Sequence, residues 1–169
     1  MELMESQDLD EPCFSCGGVV PYSDGPTHRY MDSSPGCWQV FGEVLSREYE
    51  EPAFGELHRL TVDNYALQHP GVPGPQSIQS VGVHLISLCL VLERGADLDF
   101  ATKAIRVAAK NKNEFTWLNP PSILGEFTVA DVVGATSATE HLKRIQKWSE
   151  SVWEAWSEYH AVVRKWLER

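Results

Sequence analysis

Apolar side chains recur every three to four residues along most of this chain, the spacing that places them on one face of an α-helix. The first such segment follows Ser34 and Pro35, a capping residue and a first-turn proline. Its apolar residues are Trp38, Phe41, Val44 and Leu45. The spacing predicts a helix over residues 35–49.

Prolines and glycines divide the next part of the chain into further helices. A second helix is predicted to begin at Pro52 and to end before Pro70, because proline cannot continue a helix. A third is predicted over residues 75–94, ending at Gly95, which tolerates the left-handed conformation of a helix cap. A shorter helix is predicted over residues 100–111.

Two pairs of residues predict helix starts in the C-terminal part. Thr128 with Asp131, and Ser137 with Glu140, each place a capping residue three positions before an acid. The last helix is predicted to run without a break over residues 138–168. Its apolar stripe comprises Ile145, Trp148, Val152, Trp156, Tyr159, Val163 and Trp166. A stripe of this kind packs lengthwise on other helices.

Strand signals are short, the clearest being "GVVPY" and "EFTV". The predicted fold is therefore all-α or nearly so, and 169 residues suit one hydrophobic core. We expect residues 1–12 to be a disordered acidic lead and residues 13–169 to form a single helical domain. Within it, residues 13–36 form an irregular cysteine-rich loop, and the helices occupy 35–111 and 138–168.

Charge and hydropathy exclude several classes of function. Fourteen basic and twenty-four acidic residues give a net charge of -10, which repels nucleic acids and anionic membranes. The longest apolar run, residues 81–92, is shorter than the roughly 20 residues that span a bilayer. The acidic N-terminus does not resemble a secretory signal. We therefore expect a cytoplasmic protein, without nucleic-acid or membrane partners and with reduced thiols.

Three of the four cysteines lie in the irregular loop and its junction with the first helix. Cys13 and Cys16 form a CxxC pair, the spacing of a zinc knuckle, but a tetrahedral zinc site needs four ligands. Cys37 would lie in the first turn of the helix that follows, where the helix dipole favours a thiolate. The predicted zinc ligands are Cys13, Cys16, His28 and Cys37, with His69 as the alternative to His28.

Other interpretations of these cysteines stay open. A thioredoxin-like redox pair normally accompanies a βαβ pattern, which the sequence does not predict. The cysteines could also be small residues without a ligand. Cys89 lies in the apolar third helix and is expected to pack there as a small hydrophobe.

A second group of polar residues lies on the second and third helices. His58, Tyr65 and His69 fall within about 40° of one helical face. The third helix carries its own polar stripe, formed by Ser77, Ser80, His84 and Ser87. If the two stripes face each other, they form a polar pocket for a small molecule or a second metal ion. His58, Tyr65 and His84 are then the candidate catalytic residues.

The alternative for each of these histidines is an ordinary hydrogen bond in the core or exposure to solvent. Asp63 points about 140° away from His58 on an ideal helix and is expected to bind Arg59 or a neighbouring loop. The Trp-rich last helix is expected to be a core helix, although an exposed face of it could form a homodimer.

Along most of its length the chain resembles DUF5946, a family of small bacterial proteins of unassigned function. The matching stretches are "CxxCGG" at Cys13, "GPTHRYMDSSPGCW" at Gly25, "REYEEPAF" at Arg47, "HRLTVDNYALQHPG" at His58, "QSIQSVGVHL" at Gln76, "WLNPP" at Trp117, "TVADV" at Thr128 and "WSESVWEAW" at Trp148. The resemblance implies a bacterial source but no activity. It places these candidate residues in family motifs: Cys13, Cys16, His28, Cys37, His58, His69 and His84.

Two functions are compatible with these patterns. The first is a zinc-binding helical protein with a polar pocket, acting on a small molecule as a metal-dependent enzyme. The second is a non-catalytic binding or accessory protein in which zinc only stabilises the fold. The sequence contains no HExxH motif, nucleophile elbow or phosphate-binding loop, so the usual signatures of hydrolases and nucleotide-binding proteins do not decide between them.

Overall fold

Helices form most of the chain in the computed structural model, which describes residues 9–168. The elements are β1 (Asp10–Pro12), β2 (Val19–Pro21), α1 (Pro35–Glu50), α2 (His58–Gln68), α3 (Pro75–Leu88), α4 (Leu98–Lys110), α5 (Val129–Val133), α6 (Ala138–Ala155) and α7 (His160–Leu167). The helical prediction is confirmed in its main part. The described residues also contain a two-stranded sheet, so the fold is not strictly all-α.

The two strands form a short antiparallel ribbon at the N-terminal end. Asp10 pairs with Pro21 and Pro12 with Val19, while Val20 between them is buried in the core. The "GVVPY" signal therefore marks a real strand. Residues 10–12 were expected to be disordered, and their pairing with β2 corrects that prediction; residues 1–8 lie outside the described part. Strands of three residues are too short to be stable alone, so the ribbon depends on its contacts.

The predicted helix starts at caps are confirmed. Ser34 caps α1 by accepting a hydrogen bond from the backbone N–H of Cys37 at 3.2 Å. Thr128 and Asp131 form a capping box at α5, in which the Thr128 backbone N–H donates to the Asp131 carboxylate at 2.9 Å. "EFTV" is accordingly a helix start rather than a strand.

The last helix is broken where the sequence predicted one continuous helix over 138–168. A 3-10 turn over Ser157–Tyr159 separates α6 from α7. The ring of His160 stacks on Trp153 at 3.7 Å between centroids, and its Nε2 donates to the Trp153 carbonyl at 2.8 Å. The His160 side chain thus bonds a carbonyl of the last turn of α6, next to the break between the two helices.

The second helix begins later than its predicted start at Pro52, whereas the third follows its predicted span of residues 75–94 to within one residue. A 3-10 turn at Gly55–Leu57 precedes α2, and α3 continues as a π-helical turn over Cys89–Glu93. By length and composition alone, the continuous helical segment Pro75–Glu93 is apolar enough to cross a membrane. In this fold 56% of the apolar 18-residue window within that segment is buried in the protein, as in a core helix.

Helix α2 lies at the centre of the fold and is buried on most of its sides. Eight of its eleven residues are buried, and several of these are polar. Thr61 bonds Glu48 of α1, Asp63 bonds His84 and Ser87 of α3, and Asn64 bonds Ser149 of α6. The polar side chains of α2 therefore fix the positions of three surrounding helices.

Candidate metal centre

The CxxC segment folds into a tight loop that turns both thiols inward. The backbone N–H of Gly17 donates to the Cys13 carbonyl at 2.8 Å, and the Cys13 N–H donates to the Gly18 carbonyl at 2.9 Å. Gly17 has a φ of 78°, which a residue with a side chain rarely adopts. The loop thus needs a glycine directly after Cys16.

Cys37 reaches the same site from the first turn of α1. The preceding residue, Gly36, packs so closely on β2 that a Cβ atom there would lie 2.1 Å from the Pro21 carbonyl oxygen. This contact brings the ribbon and the start of α1 together. The Sγ atoms of Cys37 and Cys16 are 3.8 Å apart.

His69 supplies a nitrogen from the C-terminal end of α2. Its Nδ1 donates to the carbonyl of Tyr65 at 2.7 Å, which fixes the proton on that nitrogen and leaves the Nε2 lone pair free. Nε2 lies 3.6 Å from Cys13 Sγ and 3.4 Å from Cys37 Sγ. The ring also stacks on Tyr65 with centroids 3.9 Å apart, so its orientation is held on two sides.

The four groups fit the dimensions of a zinc site. The ligand atoms of Cys13, Cys16, Cys37 and His69 all lie within 4.8 Å of one another, and all four residues are buried. Zinc–ligand bonds of about 2.3 Å to sulfur and about 2.0–2.1 Å to nitrogen give tetrahedral edges of about 3.8 Å and about 3.6 Å. The 3.8 Å separation of the Cys16 and Cys37 sulfurs, and the 3.4 and 3.6 Å separations of His69 Nε2 from Cys37 and Cys13, match those edges.

The protonation of the three thiols also favours a bound cation. The neighbouring Cys16 and Cys37 thiols lower the pKa of Cys13, whereas the neighbouring Cys13 group and burial raise the pKa of Cys16 to about 12 and raise that of Cys37 further. A divalent cation compensates the charge of three thiolates and releases protons as it binds.

Neighbouring donors point at each sulfur. The backbone N–H of Ser34 donates to Cys13 at 3.5 Å, and the N–H of Gly18 donates to Cys16 at 3.4 Å. The Tyr65 hydroxyl donates to Cys37 at 3.5 Å, and burial raises the pKa of Tyr65, which keeps this donor protonated. Donors of this kind stabilise metal-bound thiolates.

His28, the first choice for the fourth ligand, lies apart from this group. Its Nδ1 accepts hydrogen bonds from the backbone N–H groups of Tyr30 and Met31, both at 3.2 Å. Its ring packs on Trp38 at 5.2 Å between centroids. His28 therefore shapes the loop, and the alternative ligand His69 completes the cluster.

The expected polar pocket is not assembled, because its residues have separate partners. His58 bonds Glu48 through Nδ1 and the Tyr49 hydroxyl through Nε2, at 2.9 and 3.1 Å. His84 donates to Asp63 at 2.7 Å. Tyr65 stacks between His69 and Phe41 beside the cysteines. The predicted ion pair of Asp63 with Arg59 is present, with Arg59 Nε 3.1 Å from the carboxylate.

Sequence reasoning missed a buried hydrogen-bonded group, in which the carboxylate of Glu48 is bound by three donors. One carboxylate oxygen of Glu48 accepts from His58, and the other accepts from Thr61 at 2.7 Å and from His141 at 2.8 Å. A signal was available, because Glu48 lies on the apolar face of α1, four residues after Val44, and His141 extends the stripe of α6, four residues before Ile145.

An open cleft of about 480 Å³ adjoins the cluster on the side of Cys16. It is lined by the loop after Cys16 and by the segment that leads into α5, including Gly125, Thr128 and Asp131. Cys16 is 9% exposed, whereas Cys37 and His69 have no exposed surface. Any molecule approaching the cluster from this cleft therefore meets Cys16 first.

Comparison with known proteins identifies the family of this chain but does not indicate an activity. Residues 11–157 match the model of a family described as a family of unknown function, DUF5946. The match includes all four residues of the cluster and the Glu48 group. No curated protein and no solved structure matches the chain.

Proposed function

Because this chain belongs to the DUF5946 family, whose function is unknown, we propose its function from the cluster itself. The protein binds one zinc ion through Cys13, Cys16, Cys37 and His69, and the ion joins the N-terminal ribbon to α1 and α2. The observation that carries this proposal is the convergence of four buried sulfur and nitrogen ligand atoms within 4.8 Å.

The ligand types favour zinc among the common metal ions. Thiolate and imidazole are soft or borderline ligands, which suit zinc and exclude magnesium and calcium as preferred occupants. Four protein ligands also complete a tetrahedral shell, which is typical of structural zinc. Cytoplasmic residence, which keeps the thiols reduced and able to bind metal, is part of the proposal.

The proposed ion stabilises a segment that contains little regular secondary structure. Two strands of three residues each make a marginal ribbon. Outside the cluster, the Ser15 hydroxyl of this segment donates a hydrogen bond to the backbone carbonyl of Gln68 in α2 at 2.7 Å. Zinc binding therefore contributes directly to the folding of residues 10–37.

A second candidate function, metal-dependent chemistry on a small molecule, is favoured by the cleft beside Cys16. A bound zinc ion would supply Lewis acidity or an activated thiolate at this position. The cleft is larger than about 300 Å³, the lower end of the usual range for ligand pockets. A small-molecule ligand of the protein would then occupy this cleft and contact Cys16.

Elemental analysis of purified protein tests the zinc site, with two matched cysteine variants. Wild type and Cys89→Ser should each contain about one zinc per chain, and Cys37→Ser should contain almost none. Cys89 is an equally buried cysteine that bonds Glu93 instead of the cluster, so it controls for the loss of a buried thiol. Absence of zinc from wild type, or equal zinc in both variants, would overturn the proposal.

Removal of the ion separates the structural function from the catalytic one. A structural ion, once chelated, should leave the far-ultraviolet helical signal largely intact while amide protection of residues 10–37 is lost. Cys16→His offers an alternative zinc ligand at the cleft. A variant that keeps zinc and fold but loses binding of a small molecule would favour the second function.

A further inference from the structure

An apolar groove lies on the face of the molecule formed by α3, α4 and α7. Its volume is about 390 Å³, within the usual range of small-molecule sites. Ile86 of α3, Phe115 and Trp166 of α7 line its interior. We call this cavity the α4 groove; neither the zinc ligands nor the Glu48 group contributes to it.

Helix α4 presents one continuous side to this groove. The residues that line it recur at helical spacing, from Phe100 through Ala104 and Val107 of α4 to Asn111, the residue that follows the helix. At 1.5 Å per residue this side is about 16 Å long. The structure describes all thirteen residues of α4, and among them only Ala101 is fully buried. Phe100 and Val107 remain 56% and 60% exposed, so the rim of the groove is apolar surface open to solvent.

The charge of α4 contrasts with that of the whole chain. The helix carries Lys103, Arg106 and Lys110 against one acid, Asp99, and so has a charge of +2 in a protein of -10. Lys103 lines the groove in the first half of the helix. The other polar groups in the lining, Asn111 and Glu114, lie toward the opposite end. The lining therefore carries one cation, Lys103, and one acid, Glu114, separated by apolar side chains; Lys110, beside Asn111, lies outside the lining.

From these features we propose that the α4 groove binds a medium-chain fatty acid. The alkyl chain lies over Ile86, Phe115 and Trp166, and the carboxylate lies at Lys103, away from Glu114. A single carboxylate on an apolar chain complements both the elongated shape and the charge order of the groove. A dicarboxylate does not, because its second charge would face Glu114.

Calorimetric titration of the full-length protein with decanoate, below the concentration at which decanoate forms micelles, tests this proposal. Decanol serves as the uncharged ligand of equal chain length. Lys103→Met removes the charge and keeps an apolar stem, whereas Arg106→Met makes the same change on the same helix outside the lining. We expect Lys103→Met to weaken decanoate binding about three- to tenfold and to leave decanol binding unchanged. Arg106→Met should leave both ligands unaffected.

Val107→Asp supplies a second, independent variant at an exposed position that tolerates a polar side chain. It places a carboxylate on the rim and should weaken decanoate much more than decanol. The proposal is overturned if wild type does not bind decanoate. It is equally overturned if Lys103→Met and Arg106→Met weaken binding alike, as for non-specific attraction, or if Lys103→Met weakens decanol as much as decanoate.

Discussion

Replacement of Glu48 by alanine should destabilise the protein more than any exposed substitution on the same helix. The carboxylate is buried and accepts three hydrogen bonds, from His58 of α2, Thr61 of α2 and His141 of α6. One side chain of α1 thus holds two other helices in place. The perturbation removes the acceptor and leaves its donors where they are.

The magnitude follows from the burial of those donors. Thr61 and His141 have no exposed surface, whereas 30% of the His58 side chain is exposed and can be rehydrated. Two buried donors without an acceptor cost about 1–3 kcal/mol each. The two donors together therefore cost about 2–6 kcal/mol. This total includes the roughly 3–5 kcal/mol lost when one partner of a buried ion pair is removed. We expect the free energy of unfolding to fall by about 3–5 kcal/mol.

The stabilisation by the Glu48 carboxylate should decrease as the pH falls. Burial raises the pKa of Glu48, but the hydrogen bonds from His141, His58 and Thr61 outweigh burial and lower it. A carboxyl group with a lowered pKa in the folded state stabilises the protein above its unfolded-state pKa, about 4.3. That contribution disappears as the pH falls through the folded-state value. Glu48→Gln should therefore differ most from wild type near pH 7 and converge with it in acid.

Urea unfolding of zinc-loaded protein, followed by circular dichroism, measures these differences. Glu43→Ala, at an exposed position of α1, is the control and should change the free energy of unfolding by less than about 0.5 kcal/mol. A Glu48→Ala value as small as the control would show that the cluster contributes no net stability. A difference between wild type and Glu48→Gln that stays constant from pH 7 to pH 3 would refute the assigned role of the charged carboxylate.

Two further predictions concern the metal centre. His69→Ala should abolish stoichiometric zinc in elemental analysis and His28→Ala should retain it, because His69 Nε2 faces the thiols and His28 bonds its own loop; loss in both variants, or in neither, would contradict this ligand assignment. Gly36→Ala should lower the free energy of unfolding by about 1–3 kcal/mol in urea, since the new Cβ would lie 2.1 Å from the Pro21 carbonyl oxygen. Gly42→Ala, on the same helix with nothing within 4 Å of the new Cβ, should instead stabilise by about 0.5–1 kcal/mol; destabilisation by both would disprove the steric explanation.

Helix starts were predictable because their determinants are local. Ser34, Thr128 and Ser137 bond backbone groups two or three residues away, so sequence spacing contains the whole interaction. The break before α7 was not predictable in this way. It depends on His160 meeting the Trp153 carbonyl seven residues earlier, while the apolar stripe continues across the break. Periodicity reports which face is buried and does not detect a side chain that ends a helix.

The cysteine ligands of the metal centre were also predictable from local spacing, whereas the histidine ligand was ambiguous because it depends on distant packing. The CxxC spacing fixes Cys13 and Cys16 relative to each other, and the helix cap fixes Cys37. The fourth ligand depends on which distant segment packs against the loop. His28 was nearer in sequence, but the end of α2 packs there and brings His69.

Helix α2 explains why hydropathy was least informative at the centre of the fold. Its buried residues include polar side chains on several sides, each bonded to a different neighbour, so no single apolar stripe is visible in its sequence. A directional hydrogen bond at each contact favours one register of the packed helices. The Glu48 group binds the first turn of α2 and the proposed zinc ion binds its C-terminal end, about 16 Å away at 1.5 Å per residue. The two centres therefore fix opposite ends of one central helix, and loss of the ion should free the N-terminal ribbon while the Glu48 end keeps α1, α2 and α6 together.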